Sequence, residues 1–330
     1  MSAGRVLVCA ALEFRGREPA RALMEGAGLE IVRRVPGPGT ADEQTRDQLA
    51  GVGAILAGSE RIDATTLSKA DRLRVVARNG VGYDAVDVGR CTALGIVVTI
   101  TPGTLSDAVA DHTLALLLAA VRHLAIGDRA VKAGQYDVPY GEDLASMTLG
   151  LVGCGRIGTE VVRRALAFKM RVLVCDPKVD SGRVAALGAT AASLDQLLAQ
   201  SDAVSLHLPL SRDTAGMVDA AFLARMKPGS VFVNTARGGI VDEPALIDAL
   251  RRGHLAAAGL DCQASEPPTG ASLELVRLEN VVAMPHSGSK TITARERMSV
   301  MAAQSIVDVL QGRRPEAAVN PEVFAKLGLE

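Results

Sequence analysis

One run constrains the fold of this 330-residue chain more than any other: Thr148-Leu-Gly-Leu-Val-Gly-Cys-Gly-Arg-Ile-Gly158. Apolar and small residues lead into Gly153-x-Gly155-x-x-Gly158, and a helical pattern from Thr159 to Lys169 follows at once. A strand that turns sharply into a helix presents free backbone N–H groups and a positive helix end to a pyrophosphate. Gly153 then permits the tight turn, Gly155 the close approach of the phosphate, and Gly158 the packing of helix on strand. Glycine-rich turns are common, so the motif gains its weight from context. A second apolar run, Arg171-Val-Leu-Val-Cys-Asp176, ends in a carboxylate 23 positions after Gly153. A dinucleotide fold places there the acid that accepts hydrogen bonds from the adenosine ribose. Because a carboxylate repels a 2′-phosphate, NAD is expected rather than NADP. The plainer alternative is a βαβ unit whose glycines serve packing alone.

The first hundred residues alternate short strands and helices. Strands are expected at Val6–Ala10, Leu29–Val35, Ala54–Ala57, Leu73–Ala77 and Ile96–Ile100. Helices are expected at Glu18–Gly26, Asp42–Ala50, Asp63–Ala70 and Val86–Leu94, with a turn cluster at Pro36-Gly-Pro-Gly39. Such alternation implies a parallel sheet with helices on both faces. Thr101-Pro-Gly103 breaks the series. Ser106 or Asp107 then caps one long helix running to about Lys132, apolar nearly all round its middle and therefore expected to lie buried between domains or subunits. A second series places strands at 149–153, 171–176, 203–208, 230–235, 256–261 and 280–284. An amphipathic helix from Thr291 to about Leu310 follows, and Val319-Asn-Pro-Glu322 closes the chain. The fold class is α/β, with two doubly wound parallel sheets. The tail is expected to return to the first domain, so the boundaries are 1–101 with 290–330 for one domain and 102–289 for the other.

At this length two domains are the prior. A net charge of −1 argues against a nucleic-acid or anionic-membrane surface. The longest apolar run lies in Leu114-Ala-Leu-Leu-Leu-Ala-Ala-Val121, too short to span a bilayer. The N-terminus leads straight into a strand pattern and resembles no signal peptide. Cys9, Cys91, Cys154, Cys175 and Cys262 are scattered without a CxxC pair. Neither a metal site nor a disulfide framework is expected, and the reducing cytoplasm is the expected compartment.

Three residues near the ends of late strands carry candidate chemistry, at the edge where open α/β sheets bind ligands. Arg237, in Val231-Phe-Val-Asn-Thr-Ala-Arg-Gly-Gly-Ile240, can hold a carboxylate bidentately with its planar fork. Glu266 stands before Pro267 and Pro268, and His286 ends Val281-Val-Ala-Met-Pro-His286. Taken one at a time, these are a turn arginine, a solvated loop acid and a structural histidine; His112, His123, His207 and His254 are read mainly as structural. Together the three supply the reduction of a 2-keto acid. A cation grips the carboxylate and polarises the carbonyl, and a carboxylate-paired histidine gives the alkoxide its proton, or removes it in reverse. The hydride belongs to the nicotinamide.

Gly153-Cys-Gly-Arg-Ile-Gly158, Asn234-Thr-Ala-Arg-Gly-Gly-Ile-Val-Asp242, Gly259-Leu-Asp261, Glu266-Pro267 and Pro285-His286 resemble the D-isomer-specific 2-hydroxyacid dehydrogenases. Arg78-Asn-Gly-Val-Gly-Tyr-Asp84 and Gly95-Ile-Val-Val98 extend the resemblance over nearly the whole chain. It implies a Rossmann NAD domain inserted in a flavodoxin-like substrate domain, and a homodimer joined through the long helix near 106–132. It implies carboxylate binding by Arg237, tuning by Glu266 and acid/base work by His286. Val81 and Gly82 would meet the substrate carboxylate through backbone N–H groups. Arg156, Ile157, Asp176, His207, Pro209, Thr235 and Asp261 would surround the cofactor, with Asp261 near the carboxamide.

Within the family the chain is most similar to 3-phosphoglycerate dehydrogenases without a regulatory domain. Arg78 matches an arginine that those enzymes turn toward the substrate phosphate. A second family arginine, before Ser59, is replaced by Gly58, with Arg61 nearby as a stand-in, and Gln263 and Ala264 replace more usual acidic and aromatic residues. Plain acids such as glycerate, glyoxylate or lactate therefore stand beside phosphoglycerate. Glu266 disfavours formate oxidation. The alternatives are an NAD-sensing, corepressor-like interaction protein and a phosphite (phosphonate) dehydrogenase, which could use the same Arg, Glu and His.

Overall fold

The computed structural model describes residues 4–35 and 40–329, so the turn expected at Pro36–Gly39 lies outside the described residues. Contacts divide the chain into two compact units, Met1–Leu105 with Lys290–Glu330, and Ser106–Ser289. In chain order the first unit contains β1 (Arg5–Val8), α1 (Pro19–Gly26), β2 (Glu30–Arg33), α2 (Ala41–Asp47), β3 (Ala54–Ala57), β4 (Val75–Arg78), α3 (Val88–Leu94) and β5 (Val97–Thr99). The strands form one parallel sheet ordered β2-β1-β3-β4-β5.

The second unit begins with α4 (Ser106–Val121) and α5 (Leu124–Lys132). It continues through β6 (Thr148–Val152), α6 (Arg156–Ala167), β7 (Arg171–Cys175), α7 (Ser181–Ala186), β8 (Thr190–Ala191), α8 (Leu194–Gln200) and β9 (Ala203–Leu206). After these come α9 (Ala220–Arg225), β10 (Ser230–Asn234), α10 (Glu243–Arg251), β11 (Leu255–Leu260), α11 (Gly270–Val276) and β12 (Val281–Ala283). The sheet is parallel, ordered β12-β11-β10-β9-β6-β7-β8. The chain then returns to the first unit as α12 (Ile292–Leu310) and α13 (Phe324–Leu327).

Parallel strands covered on both faces need apolar side chains on both, and the alternation is visible residue by residue. In β1, Val6 and Val8 pack with α1 residues Ala20 and Met24 and α12 residues Ala302 and Ile306, while Leu7 packs on the opposite face with Leu49 and Cys91. In the second unit Leu149, Leu151, Val231 and Val233 join α4 and α6, whereas Val152, Phe232 and Leu260 join α8, α9 and α10. Each such side chain stabilises its unit by roughly 1.5–3 kcal/mol. The returning tail is fixed by hydrogen bonds as well. Asn320, fully buried, accepts from Val98 N (2.8 Å) and donates to Ile96 O (2.9 Å), seating the Val319–Glu322 segment on β5.

Three expectations need correction. The long helix is two helices, α4 and α5, bent by 61° at a break where His123 adopts a left-handed backbone (φ 52°). The break coincides with a tertiary contact: Gly141 of the following loop lies against the carbonyl of Val121, where a Cβ would collide, so that loop packs on the end of α4. Burial is confined to α4. The second piece buries only Ala130 and leaves Leu124 and Val131 more than half exposed, and Ser106 and Asp107 sit in the first turn of α4 rather than before it. The helix expected at Asp63–Ala70 is a single 3₁₀ turn, Thr66–Lys69, whose start is braced by Asp63 accepting from Thr65 N and Thr66 N. The second sheet has a seventh, two-residue edge strand, β8, too short to leave a period in sequence. Among the described residues no single helix is long and apolar enough to cross a membrane, and no cluster of His, Cys, Asp or Glu could hold a metal ion.

Candidate active site

Every candidate residue of the second unit lies at or just beyond the carboxyl end of a strand. The loop after β6 turns at Gly153 (φ 97°), where a Cβ would strike the carbonyl of His207. A Cβ on Gly158 would strike the carbonyl of Gly153, so helix and strand approach as closely as the motif requires. Gly155 behaves differently: a Cβ there meets nothing within 4 Å. No contact within the protein demands glycine at that position, which is what a loop left open to a ligand requires. Gly155 is also the N-cap of α6 and gives no side-chain cap, so the first-turn amides of Arg156, Ile157 and Gly158 face that space without one.

Asp176 follows β7 and reaches back to this loop, its Oδ2 accepting from Cys154 N (2.7 Å) and its Oδ1 from Lys178 N (2.8 Å). Each oxygen keeps a second lone pair for a ribose hydroxyl. The residues present therefore fit a dinucleotide: amides at a helix N-terminus, an open glycine and an ionisable acid one strand away. His207 follows β9. Burial pushes its pKa down to about 3, so the ring is neutral, and its Nε2 meets Ser205 Oγ at 2.9 Å. The exposed Pro209 gives its carbonyl to Thr214 Oγ1 (2.7 Å). Thr235, just past β10, pairs with Thr113 of α4 through their hydroxyls at 2.9 Å.

The Arg237 loop is shaped from within. Asn234, almost fully buried at the end of β10, accepts from Ala236 N and donates to Arg237 O, both at 2.9 Å. Arg237 is half-buried with an extended backbone (φ −148°), and Nη1 donates to Ala236 O (2.7 Å). Its neighbour Gly238 is pressed against Gln263, whose carbonyl occupies the place of a Cβ. That contact brings the arginine loop and the glutamate loop together.

The glutamate loop has its own brace. Gln263 N donates to Glu266 Oε1 (3.2 Å), Ala264 N to Glu243 Oε1 (2.8 Å) and Ser265 N to Ser272 Oγ (3.1 Å). Ser272 Oγ in turn donates to Glu243 Oε2 (2.6 Å). Glu266 Oε2 meets His286 Nδ1 at 2.9 Å, and Nε2 of that ring has no protein partner among the described residues. Burial is the largest single influence on the Glu266 carboxyl and pushes its pKa up. His286, Gln263 N and Arg237 together more than offset it and hold the group below the usual carboxylate range. Glu266 is therefore ionised at neutral pH and fixes Nδ1 as the protonated nitrogen.

Asp261, 2% exposed, accepts from His112 Nε2 (3.0 Å) and Ser287 N (2.8 Å) through Oδ1, and from Gly288 N (2.8 Å) through Oδ2. Of the first-unit candidates, Arg78 ends β4 half-buried and donates from Nη1 to Ala57 O (3.4 Å), and Val81 and Gly82 lie half-buried in the loop that follows. Gly58 stands beside Glu60, a buried acid whose Oε1 accepts from Gly58 N (2.7 Å), while Arg61 is exposed. Sequence reasoning missed Asn234, Glu243 and Ser272, which act on the loops rather than on a ligand. It also set His112 aside, although a histidine within an apolar helix is a polar group in need of a partner.

A family model for the D-isomer specific 2-hydroxyacid dehydrogenase, NAD binding domain, matches residues 114–288. The chain is 43% identical over 275 residues to a glyoxylate reductase of Pyrococcus furiosus, covering 81% of each protein. It is 44% identical over 261 residues to a D-3-phosphoglycerate dehydrogenase of Mycobacterium leprae, covering 78% of this chain and 49% of that one. It thus spans about half the length of that relative. A D-lactate dehydrogenase from Aquifex aeolicus, solved with NAD and lactic acid, superposes with a TM-score of 0.81 at 28% identity, covering 94% of this chain and 96% of that one. On these matches the chain belongs to the D-isomer-specific 2-hydroxyacid dehydrogenases, a family of NAD-dependent oxidoreductases.

Proposed function

We propose that the chain reduces a small, unphosphorylated 2-keto acid of glyoxylate type to the corresponding 2-hydroxy acid, with Arg237, Glu266 and His286 as the catalytic residues. The observation that carries this reading is the His286–Glu266 pair at 2.9 Å with Nε2 left open, on the same sheet edge as Arg237. Arg237 holds the substrate carboxylate and draws electron density from the C2 carbonyl. His286, protonated and held by Glu266, gives its Nε2 proton to the developing alkoxide, and removes that proton in the oxidative direction. NAD(H), when bound, supplies or accepts the hydride at C2. Gly153, Gly155, Arg156, Ile157, Gly158, Asp176, His207, Pro209, Thr235 and Asp261 hold the cofactor. The unit built from both chain ends holds the substrate, through Arg78 and the backbone of Val81 and Gly82, and two chains pair through the α4–α5 region.

The preference for an unphosphorylated acid rests on two features. Where the resemblance leads one to expect an arginine stands Gly58, and the side chain reaching its amide is the buried carboxylate of Glu60. Glu60 also pairs with Arg34 Nη1 (3.5 Å), which offsets its charge, so what disfavours a dianionic phosphate there is the missing arginine at position 58. The glyoxylate reductase relative is also matched over most of its length. Arg78 favours the second reading, 3-phosphoglycerate. NADH consumption measured against glyoxylate, hydroxypyruvate, pyruvate and 3-phosphohydroxypyruvate decides between them. Higher kcat/KM for glyoxylate or hydroxypyruvate is expected; a clear preference for the phosphorylated acid selects the second reading. Tight NADH binding with no turnover of any keto acid contradicts the enzyme reading and selects the NAD-sensing alternative.

Asp176→Ala is expected to lower the ratio of kcat/KM with NADH to that with NADPH by about 100-fold, since like charges in contact cost several kcal/mol. Binding of NADH should weaken as well, because Cys154 N and Lys178 N lose their acceptor. Steady-state kinetics with both cofactors checks this. An unchanged strict preference for NADH would place cofactor discrimination on another residue.

A further inference from the structure

His286 has a left-handed backbone (φ 48°), a conformation a non-glycine residue keeps only when its surroundings hold it there. A single residue supplies most of that hold. The backbone carbonyl of Asp261 accepts from His286 N (2.8 Å), and its two carboxylate oxygens accept from Ser287 N and Gly288 N, each at 2.8 Å. Ser287 Oγ adds a fourth bond at 3.3 Å. Three successive amides of the turn that carries His286 thus end on one residue of the neighbouring strand.

The buried carboxylate also takes a side-chain donor, which comes from a different layer. His112, on α4, places Nε2 3.0 Å from Asp261 Oδ1. The carboxylate only accepts, so Nε2 carries the proton whichever charge state the ring adopts. The same face of α4 touches the turn directly. A Cβ on Gly288 would lie 2.9 Å from Asp261 Oδ2, 3.5 Å from Val109 Cγ2 and 3.6 Å from His112 Cδ2. One residue further along α4, Thr113 meets Thr235, two positions before Arg237. A single turn of α4 therefore reaches both the strand end bearing His286 and the strand end bearing Arg237.

We propose that His112 is a positioning residue: through Asp261 it holds the turn that aims the His286 ring. The proposal rests on the reading of His286 as the acid/base. Asp261 is held below the usual carboxylate range, for although burial, the largest influence, pushes it up, His112 and the amides of Ser287 and Gly288 more than offset that. Remove the imidazole and the carboxylate loses its one side-chain N–H donor among the described residues, so its orientation, and with it that of the turn, is less firmly fixed. Misplacement of a reacting group by about 1 Å costs on the order of 100-fold in rate.

The test compares His112→Leu, which keeps bulk and removes the donor, with His112→Gln, whose amide N–H reaches about as far as Nε2. Glyoxylate is the substrate, with kcat, KM, the Kd for NADH and the melting temperature read for each variant and for His286→Ala. The expected result is a kcat about 10- to 100-fold lower for His112→Leu, with the Kd for NADH raised far less than kcat falls, and recovery of most of that kcat in His112→Gln. Wild-type kcat in His112→Leu, or equal loss of kcat and NADH binding in both His112 variants, overturns the proposal. If His286→Ala retains turnover, the acid/base reading fails and this proposal falls with it. An inactive His286→Ala beside a fully active His112→Leu overturns the positioning role alone.

Discussion

His286→Ala is expected to lower keto-acid reduction by about 10²- to 10⁴-fold, the range in which a positioned general acid contributes. The alkoxide formed at C2 is far too basic to be left without a proton donor, and no other described side chain at these strand ends offers one of suitable acidity. His207, the other histidine at the sheet edge, is neutral because burial pushes its pKa to about 3. NADH affinity should be unchanged, since the glycine loop and Asp176 lie beyond β6 and β7 while His286 lies beyond β12. Fluorescence titration with NADH beside steady-state rates separates the two quantities. Retained turnover would remove His286 from the chemistry, and joint loss of turnover and NADH binding would make it a structural residue.

Arg237→Ala is expected to lower kcat by about 10²- to 10³-fold, the usual loss when one preorganised donor to a developing oxyanion is removed, and to raise KM for the keto acid as well. Both parameters are expected to move because, in the proposed reaction, the guanidinium acts twice, binding the carboxylate in the ground state and stabilising charge on the carbonyl oxygen in the transition state. Lysine should restore only part of the loss. An ammonium supplies charge but not the planar fork, whose Nη1 donates to Ala236 O in the loop shaped by Asn234 and Gly238. Kinetics of the alanine and lysine variants, with melting temperatures as a check on folding, test this. A kcat/KM unchanged in Arg237→Ala would exclude the arginine from the site.

The residues legible in sequence were those whose role is local. Gly153 is required by the positive φ (97°) of its own turn, Gly158 by the carbonyl of Gly153 within the same motif, and Asp176 by the length of one βαβ unit, so motif and spacing alone locate them. Strand cores such as Ala54–Ala57 and Ser230–Asn234, buried at every position, stand out as short apolar runs. What depends on distant segments left no such trace. The break after Val121 sits where Gly141 packs on the helix end, and no glycine or proline marks it at His123. The partnership of Glu243 with Ala264 and Ser272 joins elements more than twenty residues apart, and that of His112 with Asp261 joins residues 149 apart. Those residue types have ordinary structural explanations, and only their placement in space gives them a role.

Steady-state kcat for glyoxylate reduction in Glu266→Ala, with the Kd for NADH read beside it, tests the proposed mechanism most directly. The variant loses the carboxylate 2.9 Å from His286 Nδ1, and with it the group that fixes the orientation of the ring and its protonated nitrogen. The expected kcat is about 100-fold lower than that of the wild type, the usual cost of misplacing a reacting group, with NADH binding retained. A wild-type kcat in Glu266→Ala would show that Glu266 does not act on His286 and would contradict the mechanism.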